Sequence, residues 1–190
     1  MSSTNAPFGL RPAFHPSGLD RAQALAGGIA SGYGSAILKG QPVKYVTGGT
    51  IQPAAAGDAF AGAFAGVEWT DTTGRRHVSN NWPASTAYQT GSCIAYFYND
   101  PLIVYEIQAD GSIAKSAIGD EADLSNTTAG STVTGLSQAT LSSTLAGAGN
   151  SAQMRIVDIA PYPDNAWGDA YTIVRVTINE AQFQASVNAI

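Results

Sequence analysis

The stretch Cys93-Ile94-Ala95-Tyr96-Phe97-Tyr98-Asn99-Asp100-Pro101-Leu102-Ile103-Val104-Tyr105-Glu106-Ile107-Gln108 decides the fold class. Aromatic and β-branched residues dominate both halves, as a pleated strand with at least one buried face requires. Asn99-Asp100-Pro101 reads as a tight turn, because Asn and Asp bond their own backbone and proline presets φ. Two such runs joined by a turn predict an antiparallel hairpin, residues 93–98 against 102–108, at the centre of an all-β domain.

The same pattern extends outward on both sides. Residues 35–38 and 43–46 flank the turn cluster Lys39-Gly40-Gln41-Pro42, and residues 50–52 and 60–69 follow. Within the last run Gly62 and Gly66 permit close backbone approach or a bulge. Residues 154–159 and 171–178 are further strands, the second alternating with Thr172, Val174, Val176 and Ile178 on one face. Short strands at this spacing predict a β-barrel or β-sandwich, jelly-roll-like, over residues 35–178. Residues 120–150, rich in Ser, Thr and Gly, form a long excursion with short strands, or a loop over the barrel mouth. Residues 179–190 are a C-terminal tail. Residues 19–30, LDRAQALAGGIA, have the composition to start a short helix that Gly27-Gly28 would end.

Residues 1–34 read as an N-terminal arm. Pro7, Gly9, Pro12, Pro16 and Gly18 lie too close together for a regular element. Phe8, Leu10 and Phe14 need a partner surface, which is either their own domain or a neighbouring subunit. Because the prolines reduce the entropy lost on ordering, the arm from Ser2 to about Ser17 is expected to order mainly by docking on another chain.

Composition bounds the function. The 190 residues suit one domain with arms; only 12% are charged, about half the usual ~25%, and the net charge is -5. Scattered cations on an acidic chain argue against a nucleic-acid partner. A single cysteine excludes an intrachain disulfide framework and a multi-cysteine zinc site. No apolar run approaches the ~20 residues of a membrane span, and Met1-Ser2-Ser3-Thr4-Asn5-Ala6-Pro7 lacks the pattern of a signal peptide, so no membrane partner is expected. Gly, Ser, Thr, Ala and Asn fill the charge deficit and give a neutral polar surface suited to packing against protein.

Chemistry-bearing residues do not converge. His15 and His77 stand apart without ligand spacing and read as structural or surface residues. Cys93 opens an apolar strand and reads as a small buried hydrophobe, not a nucleophile. Asp120, Glu121 and Asp123, and then Asp164 and Asp169, read as solvated turns in preference to a calcium site, because the regular oxygen-ligand spacing is missing. Gly147-Ala148-Gly149-Asn150-Ser151-Ala152 matches a dinucleotide-binding fingerprint, but a strand pattern follows it where a helix is needed to hold a pyrophosphate. The expectation is no catalytic residues, no cofactor and no metal. Arg75-Arg76-His77 is the densest basic patch and suits a partner's carboxylates. Trp82 and Trp167 would serve a receptor binder if exposed, although a structural role is the ordinary one for tryptophan.

Several passages together resemble the head-decoration (cement) proteins of tailed bacteriophages. The likeness rests on Asn5-Ala6-Pro7-Phe8-Gly9-Leu10-Arg11-Pro12, on Ala36-Ile37-Leu38-Lys39-Gly40-Gln41-Pro42-Val43, and on Thr50-Ile51-Gln52-Pro53-Ala54-Ala55-Ala56-Gly57-Asp58 through Phe64-Ala65-Gly66-Val67. Residues 74–83 (GRRHVSNNWP) and 165–170 (NAWGDA) extend it over most of the chain. The resemblance implies a non-enzymatic virion protein, a homotrimer that binds the major capsid protein on the outside of the head at junctions between capsomers. It implies location on the capsid exterior, after assembly in the host cytoplasm, and brings no catalytic residues with it. The candidate interface residues are Phe8, Leu10, Phe14, Arg75, Arg76, Trp82 and Trp167. The readings from other classes are a phage tail or receptor-binding β-protein and, more remotely, a carbohydrate-binding module.

Overall fold

The computed structural model describes residues 2–18 and 22–185. The strands are β1 (Arg11–Phe14), β2 (Gln23–Ala26), β3 (Pro42–Tyr45), β4 (Ile51–Pro53), β5 (Gly62–Thr70), β6 (Arg76–Ser79) and β7 (Ile94–Tyr98). After them come β8 (Val104–Gln108), β9 (Glu121–Ser125), β10 (Gly130–Ser131), β11 (Leu136–Ser137), β12 (Thr140–Leu145), β13 (Met154–Ile159) and β14 (Ile173–Ile178). Among the described residues the sole helical element is the 3-10 turn Lys115–Ala117, so the fold is all-β.

Two six-stranded antiparallel sheets give a sandwich-like arrangement. The first runs β1-β8-β14-β13-β9-β12; the second runs β2-β7-β5-β3-β4, with β6 beside the far end of β5. The first sheet curls around its core far enough for Leu141 of β12 to bridge Ala109, the residue after β8, yet it does not close into a barrel. Inside the curl lie Tyr105, Ile107, Leu124, Leu141, Met154, Ile156, Val174 and Val176. A separate cluster on the second sheet gathers Val43, Phe64, Val67, Trp69, Ala95 and Phe97 beneath the loop residues Ile29, Ile37 and Trp82.

The expected central hairpin does not form. β7 pairs with β2 and β5, whereas β8 pairs with β1 and β14, so residues 99–103 carry the chain from one sheet to the other. The turn signal itself is sound: the Leu102 amide donates to Asp100 Oδ1 at 2.9 Å and the Ile103 amide to the Asp100 carbonyl at 3.2 Å. What separates the strands is burial. All five residues of β8 are buried: β1 and β14 pair its two edges, the curled core covers one face, and the arm residues Thr4 and Ala6 lie against the other. The Tyr105 hydroxyl, pushed well above the ordinary phenol range by burial, donates back to the Tyr98 carbonyl across the corner.

β5 is the common wall. Ala63 belongs to the curled core, while Phe64, Val67 and Trp69 belong to the second, with a register irregularity between Phe64 and Gly66. Gly62 permits the junction: its φ is +152°, and a Cβ there would stand 1.6 Å from the Tyr98 carbonyl oxygen. Gln153 ties the same region by side-chain bonds. Its Nε2 donates to the carbonyls of Ala55 and Asp58, and its Oε1 accepts from the Leu124 amide.

Several local expectations change. Residues 23–26 form β2, an edge strand on β7, in place of a helix, because pairing outweighs the weak propensity of a Gly-terminated segment; Leu19, Asp20 and Arg21 lie outside the described residues. Of residues 35–38, Ile37 alone pairs, through one bridge to Trp82. The excursion shrinks to residues 126–139, since residues 121–125 and 140–145 are strands of the curled sheet. Residues 154–159 are a strand as expected, and Val174, Val176 and Ile178 turn inward together. Of the C-terminal tail, Phe60 bridges Ala181, and residues 186–190 lie outside the described part.

Candidate functional site

The arm is part of its own domain. β1 pairs with β8 through Arg11↔Glu106 and Pro12↔Tyr105, and Leu10 is buried in the curled core. Upstream, Gln108 accepts from the Ala6 amide at 2.9 Å and donates to the Thr4 carbonyl at 3.0 Å. Ser2 is buried, its hydroxyl bonded to Asp169 and its carbonyl accepting from the Tyr171 amide at 2.8 Å. The expectation that the arm orders chiefly on another chain is therefore corrected. The curled core supplies the surface that Leu10 requires, and Glu106 and Gln108 on the opposite face of β8 hold Arg11, Ala6 and Thr4.

Charge fastens the arm. The Glu106 carboxylate meets the Arg11 guanidinium at 2.8 Å, the Arg175 Nε at 3.5 Å and the Tyr162 hydroxyl. Burial pushes the Glu106 carboxyl up, but the bonds from Tyr162 and Arg11 and the charges of Arg11 and Arg175 outweigh it and hold it below the ordinary range. The Arg11 guanidinium also lies 4.4 Å over the Phe8 ring.

Where the arm crosses the turn after Leu38, two glycines interlock. The Leu10 amide donates to the Gly40 carbonyl at 2.8 Å, and a Cβ on Gly9 would meet that oxygen at 2.6 Å. The hairpin β10–β11 docks on the same turn, the Lys39 amide donating to the Gly135 carbonyl and the Ser137 amide to the Lys39 carbonyl. Between arm, turn and hairpin opens a cavity of about 400 Å³ lined by Phe8, Arg11, Lys39, Tyr98 and Leu136, among others. At the hairpin tip Val133 is 95% exposed, and the Asn80 side chain, just beyond β6, donates to the Thr134 carbonyl at 3.2 Å.

The seven candidate interface residues do not form one patch. Phe8 lines the cavity, whereas Leu10 is fully buried behind it and offers a partner no surface. Phe14 is exposed on β1, with the Arg175 guanidinium 5.4 Å from its ring centre. Arg75 and Arg76 are exposed beside the second sheet, where Arg76 pairs with Glu68. Trp82 is fully buried, edge-on to Trp69 at 5.4 Å and Tyr88 at 6.0 Å, so it is core and not interface. Trp167 is half-buried against the curled core. Sequence reasoning passed over Lys39, Tyr98 and Leu136, and no local pattern marks them; only the meeting of three distant segments does.

Titratable groups serve the fold. Cys93 is buried and its thiol is pushed up by desolvation. His77 stacks on Trp69 at 5.0 Å and bonds Asp71 at 2.9 Å. Glu121 is not in a solvated turn: it is fully buried on β9, paired with Arg155 and accepting from the Asn179 side chain at 2.8 Å and the Ala152 amide at 2.9 Å. The sequence reading failed there because β9 is an inner strand that carries the carboxylate under cover. Among the described residues no group of three or more His, Cys, Asp and Glu is placed to hold a metal ion, and no helix is long and apolar enough to cross a membrane. Comparison with protein-family models, with curated proteins and with solved structures finds no match.

Proposed function

We propose that this chain is a structural, non-catalytic component of a tailed-bacteriophage head, seated on the outer capsid surface as a homotrimer and cementing neighbouring capsomers. The observation that carries the reading is the placement of large apolar side chains in solvent on a weakly charged surface. Val133 and Val78 are 95% and 74% exposed, and Leu136, Leu102 and Phe183 are exposed as well. Each such side chain gains free energy when covered by protein, and many modest contacts repeated over a symmetric shell sum to permanent attachment. The sequence resemblance to decoration proteins supplies the class of partner, the major capsid protein. The receptor-binding reading is less well supported, because Trp82 is sequestered in the core of the second sheet and Trp167 packs against the curled core. Co-sedimentation with intact, DNA-filled heads tests the proposal. A fixed copy ratio to the main shell protein is expected, and a protein that stays in the supernatant at all ratios would overturn it.

A further inference from the structure

The cavity between the arm, the turn at Lys39 and the hairpin β10–β11 has the features of a receptor for one side chain of a partner. Its volume of about 400 Å³ is at the small end of ligand sites and suits a single large side chain better than a folded surface. The walls are apolar where Phe8, Tyr98 and Leu136 contribute. The rim is cationic. Arg11 is committed to Glu106, whereas Lys39 is exposed and meets no carboxylate among the described residues. An unpaired cation at the mouth of an apolar cavity, on a chain of net charge -5, selects an occupant that brings its own carboxylate. Leu136 and Val133, both exposed on this hairpin, offer further apolar contacts beyond the cavity, which suits an occupant that belongs to an extended segment.

We infer that this cavity receives an aromatic or aliphatic side chain from an extended segment of the partner shell protein, with an adjacent Asp or Glu of that segment held by Lys39. The inference rests on the proposed head-binding function for the identity of the partner, but the chemistry of the cavity is independent of it. The arm thus acts in attachment as one wall of a fixed receptor, and not as a free tether.

Two experiments separate the cavity from the function. In the first, the capped peptide acetyl-Ser-Phe-Asp-Ser-amide is titrated into the full chain while backbone amide shifts are followed by NMR. Shifts at Phe8, Lys39, Gly40 and Leu136 are expected, with binding about 2- to 5-fold tighter than for the Asn-containing peptide and that difference lost in Lys39→Ala. Shifts elsewhere, no saturable shifts, or equal binding of the two peptides would overturn the receptor. In the second, Lys39→Glu and Lys115→Glu, an identical charge change at another exposed lysine, are compared in co-sedimentation with heads. A loss of about tenfold for Lys39→Glu alone is expected. Equal behaviour of the two variants would refute the cavity while leaving head binding intact. If the unmodified chain ignores heads but the peptide result holds, the function falls and the receptor stands. Self-association that Lys39→Glu abolishes would instead make a second copy the occupant and overturn the assignment to the shell.

Discussion

Inside the curled sheet, strands enclose the core on nearly every side, and the filling is mostly aliphatic: Ile107, Leu124, Leu141, Met154, Ile156, Val174 and Val176 around the two buried rings of Tyr105 and Phe60. On the second sheet, the cluster away from the shared wall is covered by loops. Loops bring Ile29, Ile37 and Trp82 over Phe64, Trp69 and Phe97, and large rings fill a space that regular strands do not define. The difference teaches how each core fails. A strand-walled core distributes packing over many small contributors, whereas a loop-roofed core depends on a few big ones, each burying about 150–250 Å².

The largest effect is expected where the two cores share a wall. Gly62→Ala forces a Cβ into the Tyr98 carbonyl at a φ that L-residues rarely adopt, so it should strike both cores at once. We expect a loss beyond ~4 kcal/mol, visible as loss of soluble folded protein. Soluble protein with an unchanged urea midpoint would show that the wall can yield.

Next is Trp82→Ala, expected to cost about 3–5 kcal/mol through the cavity it leaves. The damage should stay on one side: aromatic near-ultraviolet dichroism falls while the methyl resonances of Met154 and Ile156 keep their positions. Equal disturbance of those methyls would mean that the two cores are one. Ile107→Val trims the curled core by a single methylene and should cost about 0.5–1.5 kcal/mol by urea denaturation. A cost equal to that of Trp82→Ala would erase the contrast.

The smallest effect concerns pH. Because the folded Glu106 carboxyl lies below its unfolded value, its contribution is complete above about pH 4.5 and is lost as pH falls through the depressed value. The fall in Tm on acidification should therefore be shallower in Glu106→Gln than in the unmodified chain. Asp58, lowered chiefly by its bond from Lys44, keeps some acid sensitivity on the second sheet, so the slope should diminish and not vanish. Identical slopes would remove Glu106 from the acid response.

The contrast also explains what could be read in advance. Residues 154–159 and the inward face of β14 were legible because alternation reports which face a strand buries. Partnership was not legible. Residues 93–98 and 102–108 have the same kind of composition, and no periodicity says that one belongs under loops and the other between β1 and β14. β1 and β2 escaped notice because each is four residues long and lies among prolines or glycines, where pairing with a preformed strand supplies the order. At the cavity, Phe8 and Leu10 stood out as apolar residues in a proline-rich arm. Lys39 and Leu136, 97 positions apart, gain meaning only through the bridge that joins them.

Gln153 gives these two unlike cores a common clock. Its side chain holds the loop before β5 to the amide of Leu124 in the curled sheet, and its own carbonyl accepts from the amides of Asn179 and Glu180. Opening the curled core, or lifting the loop that leads into the shared strand β5, breaks bonds converging on this one residue. Slow amide protons of β5 and β9 should therefore exchange with a shared rate, as members of one opening unit. In Gln153→Ala the shared rate should split into two, the loop-roofed side opening first, so that the resistance of the molecule to transient unfolding comes to depend on which half is probed.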